Sequence, residues 1–190
     1  MHSLKETANA LSEITDAGQF EQLATEVLRH ACPDLYGNLT QPGINAEGKT
    51  VKSPVDAISY VRGSNSHHLV LVQHTTCKQS DIRKKWMSDR PGQRGRSGDI
   101  FKAACIAAEE RQRSPDLRVT LALTTNKEPP EDVTRDAVSL ADSHGIKLEI
   151  WSRSRITSFL DNDPNGQRLR WRFLRIEQER LSHDLLRELG

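Results

Sequence analysis

The sequence is short of cysteine, of long apolar runs and of net charge. Its three cysteines, Cys32, Cys77 and Cys105, are odd in number and far apart, which indicates reduced thiols in a cytoplasmic protein. His74 lies close to Cys77, but no second ligand pair stands at zinc spacing, so we expect no structural zinc site. With a formal net charge of +1 at pH 7, an argument for nucleic-acid binding has to rest on local clusters of basic residues.

Other signals are also missing. No segment approaches the ~20 apolar residues of a membrane span, and the N-terminal segment lacks the layout of a signal peptide. We therefore expect no membrane partner. No glycine–lysine Walker-A motif occurs, and no nucleotide-hydrolysing core is expected in this chain. At 190 residues, the chain is long enough for one domain with a hydrophobic core, alone or with a helical extension.

Apolar residues recur in blocks with helical or strand periodicity. Residues 1–18 predict a loose helix, and residues 20–28 predict a firmer one with a single apolar face. A later helix over residues 131–145 has Gly145 as its C-terminal cap. The first two predicted strands form a hairpin, and the second is central because it is apolar on both faces. The predicted strands are VDAISYV, HHLVLVQHTT, RVTLALTT and KLEIWS. This order predicts an α/β fold in three layers, with a mixed, partly parallel sheet flanked by helices.

Two polar positions interrupt the strand pattern. Asp56 opens the first strand, and is either a turn aspartate of the kind common at strand edges or a functional carboxylate. Gln73 follows the apolar run of the second strand and leaves the same face as Thr75, whereas His74 points to the other face. A buried amide at Gln73 needs hydrogen bonds, since leaving it unsatisfied costs ~1–3 kcal/mol. At the sheet edge the same amide would instead meet water.

The layout FEQLATEVL, then SPVDAI, then VLVQHTT resembles the Mrr-like branch of the PD-(D/E)xK restriction-endonuclease superfamily. In that family a helix with a Phe-Glu pair precedes a β-hairpin. The first hairpin strand supplies a metal-binding Asp, and the second supplies Glu or Gln and, two residues later, Lys. The resemblance covers roughly residues 18–152. It implies a restriction-endonuclease-like core, a bound Mg²⁺ or Mn²⁺ ion, and the activity of a metal-dependent DNA endonuclease.

The resemblance assigns site residues by position. Asp56 matches the metal-binding aspartate, Gln73 matches the Glu or Gln, and the helix glutamate is Glu21 or Glu26. At about 100° per residue, Glu21 lies roughly 90° from the centre of the apolar face and Glu26 about 130° away. Glu21 therefore flanks the buried face and is preferred. The oxygen donors of Asp56, Gln73 and Glu21 suit a hard cation such as magnesium, which stabilises charge and activates water in phosphodiester hydrolysis.

The lysine of the family pattern is missing, because the position two after Gln73 is Thr75. A threonine hydroxyl supplies no positive charge, so either a lysine reaches in from elsewhere or the site is weak or inactive. Lys78, just past the strand, is the preferred candidate, although it serves only if the chain bends after the strand. Lys102 on the following helix needs no bend. Two further candidates are Lys84 and Lys85.

A basic cluster follows the hairpin and predicts contact with nucleic-acid phosphates without reading of sequence. The alternative is a solvated linker. The predicted contacts are Arg83, Lys84, Lys85, Arg90, Arg94 and Arg96. A second basic run, GQRLRWRFLR, puts Arg168, Arg172 and Arg175 on one side of a helix, and amphipathic packing on the domain is the preferred explanation there.

The last part of the chain predicts amphipathic helices, which divides the sequence into a nuclease-like domain, 1–152, and a C-terminal extension, 153–190. The extension resembles the junction where nuclease-like domains meet an NTPase domain in bacterial antiviral STAND proteins. That resemblance implies an effector role in bacterial defence, with an NTPase domain or a partner subunit, and leaves a homo-oligomer open. Thr75 favours an alternative function, a catalytically inactive nuclease-fold module for nucleic-acid binding or protein association. A structural adaptor is a third interpretation.

Overall fold

The apolar strands assemble into one mixed sheet. The computed structural model describes residues 2–40, 55–62, 67–90 and 97–177. Within these ranges the sheet has four strands in the order β1-β2-β3-β4. They are β1 (Ala57–Arg62), β2 (His67–Thr75), β3 (Arg118–Thr125) and β4 (Lys147–Trp151). β1 runs antiparallel to β2, whereas β2, β3 and β4 are parallel, which confirms the predicted hairpin and the mixed sheet.

Helices cover both faces of the sheet. The first layer consists of α1, α2, α7 and α8, and the second layer consists of α4, α5 and α6. The bounds are α1 (His2–Glu13), α2 (Ala17–Ala31), α3 (Pro33–Tyr36), α4 (Ile82–Met87), α5 (Asp99–Arg113), α6 (Glu131–Ser143), α7 (Arg153–Asn162) and α8 (Pro164–Leu174). The fold is therefore the three-layer α/β arrangement with C-terminal helices that the sequence predicts. Within the part of the chain just described, no helix is long and apolar enough to cross a membrane.

The central position of β2 follows from its two apolar faces. Val70 and Val72 pack into the first-layer core, while Leu69 and Leu71 pack into the second-layer core, and all four are fully buried. Burial of one such side chain contributes about 1.5–3 kcal/mol. The pairing of Ala57 with Val72 fixes the register of the hairpin. This register also places Asp56, the residue before Ala57, beside Gln73 near the end of β2.

The first helix is a packed element, contrary to the loose helix predicted from its weak pattern. Leu11 is fully buried in the first-layer core. Asn126, which follows β3, donates its side-chain N–H groups to the carbonyls of Leu11 (2.9 Å) and Ile14 (2.8 Å). The Lys127 ammonium donates to the carbonyl of Ser12 at 2.6 Å. These donors satisfy carbonyls that the end of a helix leaves without partners, and they fix α1 to the end of the sheet.

A buried ion pair joins the helices of the first layer. The Arg170 guanidinium of α8 donates to the Asp161 carboxylate of α7 at 2.7 Å, and both residues are buried. The same carboxylate oxygen accepts a bond from the hydroxyl of Thr7 in α1, also at 2.7 Å. At Gly166 the helices α7 and α8 touch, because an added Cβ there would lie 2.0 Å from the carbonyl oxygen of Phe159. Up to Leu174, the C-terminal helices thus share one core with α1 and α2.

Candidate functional site

Asp56 lies at the start of β1, beside the last residues of β2. Its amide donates to the carbonyl of Val72 at 3.0 Å, and its carboxylate accepts a bond from the amide of His74 at 2.7 Å. The side chain is half-buried. Asp56 is therefore held by the two residues that flank Gln73, which brings Asp56 and Gln73 to the same place in the hairpin.

Gln73 and Thr75 lie on β2, which ends at Thr75. Both are buried, with exposed fractions of 3% and 7%. Gln73 is therefore a buried amide rather than one that meets water at a sheet edge. The Thr75 hydroxyl accepts a bond from the amide of Cys77 at 3.2 Å. That bond helps to turn the chain away from the strand, so the threonine has a local structural contact where the family pattern has a lysine.

Glu21 approaches Asp56 from α2 in the first layer. The two carboxylates line a cleft of about 100 Å³ together with His74, Thr75 and other residues at the end of β2. Burial raises the pKa of the Glu21 carboxyl above its ordinary value, and the negative charge of Asp56 raises it further. Glu26, the alternative on the same helix, instead pairs with Arg29 at 2.6 Å. The structure thus brings Glu21 and Asp56 together, and Glu26 does not line this cleft.

The pKa of the Asp56 carboxyl is also raised. Burial has the largest effect, because it removes water from the charged form. The hydrogen bond from the His74 amide lowers the pKa, the charge of Asp99 raises it, and the charges of Lys85 and Lys102 lower it. Asp56 therefore interacts electrostatically with charged groups from both layers. Glu21 belongs to the first layer, and Asp99, Lys85 and Lys102 belong to the second.

Sequence reasoning missed Asp99, the first residue of α5. Asp99 is fully buried, and one of its carboxylate oxygens accepts bonds from the ammonium groups of Lys85 (3.1 Å) and Lys102 (3.3 Å). Its other oxygen is buried without a hydrogen-bond partner among the described residues. The only sequence signal was the spacing of Asp99 and Lys102, three apart at a helix start, which is a common surface pair. Its burial depends on α4 packing against α5.

The lysine candidates lie in different environments. Lys78 follows the bend after β2, is exposed, and forms no ion pair within the ranges that the structure describes. Lys102 is held by Asp99 and its side chain is 17% exposed, against 36% for Lys85. Both Lys85 and Lys102 act on the charge of Asp56. Strand β2 ends at Thr75, before Lys78, but the ammonium groups that influence the Asp56 carboxyl come from α4 and α5.

The residues of the predicted basic cluster differ in their contacts. Arg83 forms ion pairs with Asp132 (2.7 Å) and Asp136 (2.8 Å) of α6, so its charge is neutralised within the protein. Lys84, Lys85 and Arg90 line a second cleft of about 530 Å³, which Lys102 also lines. Arg94 and Arg96 lie outside the described residues. The second cleft therefore combines basic side chains with the Asp99 pair that influences Asp56.

The predicted metal ligands are only partly brought together, since Glu21 and Asp56 line the first cleft and Gln73 does not. Glu21, Asp56 and the Gln73 amide carry the oxygen atoms that Mg²⁺ and Mn²⁺ prefer. Across the described ranges, no three His, Cys, Asp or Glu side chains come together as a metal site. Magnesium sites commonly use one or two carboxylates, while water and substrate phosphate complete the coordination. Burial and then the negative charge of Asp56 raise the pKa of Glu21, and a cation held between the two carboxylates would relieve that repulsion.

No protein-family model matches the chain, and a search of curated proteins finds no match either.

Proposed function

We propose that the protein is a metal-dependent DNA endonuclease of the PD-(D/E)xK type. One observation carries the proposal: the carboxylates of Glu21 and Asp56 share a cleft at the end of the central strand β2. The charges of Lys85 and Lys102, which line the second cleft, also lower the pKa of Asp56, although burial has the larger, opposite effect. The order of helix, antiparallel hairpin and buried glutamine agrees with the resemblance to the Mrr-like branch. Carboxylates, an amide oxygen and an ammonium group are the groups that hydrolysis of a phosphodiester needs.

Each side chain has a role in this proposal. Asp56, Glu21 and the Gln73 amide oxygen hold the cation, which is Mg²⁺ or Mn²⁺. The bound cation neutralises charge on the phosphate and acidifies water. The His74 amide fixes the orientation of the Asp56 carboxylate through its 2.7 Å bond. Since protonated carboxyl groups bind cations poorly, the raised pKa values of Glu21 and Asp56 place the acid limit of activity above that of ordinary carboxyl groups.

Lys102 replaces Lys78 as the proposed lysine. Its ammonium group is oriented by the buried Asp99 carboxylate and is more protected from water than that of Lys85. A positive charge held in this way stabilises developing negative charge on a phosphate without reorganisation. Lys84 and Arg90, in the second cleft with Lys102, bind the phosphates on either side of the one that is cleaved.

Cleavage of supercoiled plasmid with Mg²⁺, with Mn²⁺ and with EDTA tests the proposal. We expect nicking that requires the cation, that is lost in Asp56→Asn, and that falls strongly in Lys102→Gln. Lys78→Gln is the matched control, because it removes one exposed lysine near the same strand end, and it should cleave at the wild-type rate. Metal-dependent cleavage that survives in Asp56→Asn would overturn the site.

A second candidate is a nuclease-fold module that binds DNA or a protein without cleaving. Thr75, with its hydroxyl engaged by the Cys77 amide, favours it. In that case the protein retains DNA in a filter-binding assay, shows no nicking with either cation, and gains no thermal stability from Mg²⁺ or Mn²⁺. Both candidates are compatible with an effector role in bacterial defence, in which the protein acts with an NTPase domain. The resemblance of residues 153–190 to the nuclease–NTPase junction of STAND proteins supports that role.

A further inference from the structure

The outer face of α8 combines arginine with an exposed tryptophan. Arg168, Trp171 and Arg172 stand three and four residues apart and are exposed, and exposed Arg175 follows where the helix ends. Side chains at this spacing share one face of a helix. The inward side is occupied by Leu169, which is buried in the first-layer core. Packing therefore explains the inner side of α8, whereas on the outer face the Arg172 guanidinium lies over the Phe173 ring at 5.1 Å and Trp171 remains exposed.

The arginines of this face differ from Arg170 in their contacts. Within the described part of the chain, Arg168, Arg172 and Arg175 form no ion pair, whereas their neighbour Arg170 is paired with Asp161 at 2.7 Å. The protein as a whole has a net charge of only +1. A local concentration of positive charge on such a protein favours a polyanionic partner.

Trp171 gives the face a flat apolar surface. Its exposed fraction is 48%, whereas Trp86 and Trp151, the other two tryptophans of the chain, are 0% and 4% exposed. An indole ring exposed among arginines matches the way proteins bind single-stranded nucleic acid, in which bases stack on aromatic rings and basic side chains follow the phosphates.

The end of α8 contacts the first turn of α2. The Gln19 side chain of α2 donates to the carbonyl of Phe173 at 3.5 Å, and α2 also carries Glu21, whose side chain leaves a different side of the helix and lines the cleft with Asp56. The α8 face is on the side of the first layer, while the cleft with Lys84 and Arg90 is on the side of the second layer. A nucleic-acid chain passing through the site would meet basic residues on both sides.

We propose that the outer face of α8, formed by Arg168, Trp171, Arg172 and Arg175, binds an unpaired nucleic-acid strand. A base stacks on the Trp171 ring, and the arginines contact the phosphates beside it. Binding at this face needs neither a cation nor cleavage, so it can be measured in EDTA, and its failure is distinct from a failure of the proposed nuclease activity.

The test is the affinity of the full chain for a fluorescently labelled oligothymidine, measured by anisotropy in EDTA over a range of salt concentrations. Trp171→Ala should weaken binding roughly fivefold to a hundredfold, as loss of one stacked base does, while Trp171→Phe keeps most of the affinity. Arg168→Gln and Arg172→Gln should each weaken binding and lower the slope of log affinity against log salt by about 0.7. The matched control is Arg135→Gln, an exposed arginine of α6 that likewise forms no ion pair within the described residues, and this variant should bind as the wild type does.

Intrinsic fluorescence provides a second readout. Because Trp86 and Trp151 are buried, quenching by the oligonucleotide should come from Trp171 and disappear in Trp171→Phe. Arg175 adopts a left-handed backbone at φ 59°, where glycine is favoured. Arg175→Gly should therefore keep the melting temperature and weaken strand binding.

Three results would overturn the proposal: equal affinity of Trp171→Ala and wild type, preference for a duplex over the single strand, or displacement of the strand by polyglutamate at equal charge concentration. The first would mean that no base stacks on Trp171. The last would mark the face as a docking site for an acidic protein.

Discussion

The buried negative charge of Asp56 lowers the stability of the folded protein at neutral pH, and the proposed cation would offset that charge. Burial raises the pKa of its carboxyl in the folded protein. When the pKa of a carboxyl group is higher in the folded than in the unfolded protein, the protonated group contributes stability at low pH. That contribution is lost as the pH rises through the folded pKa. At neutral pH, Asp56→Asn should therefore melt at a higher temperature than the wild type, and the difference should shrink towards acid pH.

Thermal melts with and without Mg²⁺ extend this prediction to the cation site. Mg²⁺ should raise the melting temperature of the wild type, because a ligand that binds only the folded state stabilises it. It should leave Asp56→Asn unchanged. Asp116→Asn, which removes a carboxylate at an exposed position, controls for a general effect of charge and should keep the wild-type response to Mg²⁺. A wild type that is insensitive to Mg²⁺ and Mn²⁺ at neutral pH would contradict the cation site.

His74 makes the protein sensitive to acid. Its ring is buried between the hydroxyls of Thr25 (3.2 Å) and Thr124 (2.7 Å), and burial lowers its pKa to about 3. In the unfolded chain the histidine side chain binds a proton at about pH 6.5. The contribution of neutral His74 to stability is therefore fully present above that pH. It falls by up to about 1.4 kcal/mol per pH unit between pH 6.5 and the folded value.

Urea unfolding at a series of pH values measures this slope. His74→Gln should be less stable at neutral pH but lose stability less steeply as the pH falls below 6.5. His67→Gln changes an exposed histidine on the same strand and should keep the wild-type slope. Parallel curves for wild type and His74→Gln would show that His74 is protonated in the folded protein.

At the residue scale, the sequence predicts which face of a helix or strand a side chain occupies. It predicts less well which side chains of different elements touch. The resemblance assigns Asp56, Gln73 and a helix glutamate, strand alternation puts Gln73 and Thr75 on one face, and helical angles favour Glu21 over Glu26. The structure brings Glu21 and Asp56 together. Asp99 could not be found in this way, because its burial and its bond to Lys85 depend on how α4 packs against α5. The preference for Lys78 rested on distance along the chain alone, which says nothing about side chains that a neighbouring helix brings in.

At the scale of elements, the crossing of α7 and α8 depends on Gly166. A Cβ at that position would lie 2.0 Å from the Phe159 carbonyl oxygen, a backbone atom that cannot move without shifting the helix. Gly166→Ala should destabilise the protein by about 1–3 kcal/mol, the range for overpacking of a core. Gly18→Ala is the matched control, because an added Cβ there would contact a side-chain oxygen of Asp16 at 3.3 Å rather than a backbone atom. Chemical denaturation that ranked the two variants equally would contradict a close helix crossing.

Regular elements with strong periodicity were predicted well. Strand β3 coincides with the segment RVTLALTT, and α6 ends before Gly145, which has the expected left-handed backbone at φ 67°. The first helix was underestimated, since few of its residues are apolar. Its attachment comes from hydrogen bonds of Asn126 and Lys127 to its last carbonyls, and no local pattern encodes bonds to residues more than a hundred positions away.

At the scale of the whole molecule, basic residues that are neighbours in sequence should contribute differently to DNA binding. Arg83 is neutralised by Asp132 and Asp136, whereas Lys84 and Arg90 line the second cleft. In filter binding at several salt concentrations, Lys84→Gln and Arg90→Gln should each weaken DNA retention and lower the salt slope by about one. Arg83→Gln should leave DNA retention unchanged and should have little effect on stability, because its two ion pairs are exposed to solvent. A larger loss of binding in Arg83→Gln than in Lys84→Gln would show that the cleft is not the DNA surface.

The bond between Thr7 and Asp161 also determines when the protein can finish folding in the cell. The two residues are separated by 154 positions, and the Asp161 carboxylate is itself paired with the later residue Arg170. At a translation rate of about 5–20 residues per second, a ribosome needs roughly 8–30 s to add the residues between them. During that interval α1 has left the ribosome without its partners, and the side chain of Leu11 is open to chaperones. Completion of the first layer therefore follows the synthesis of α8.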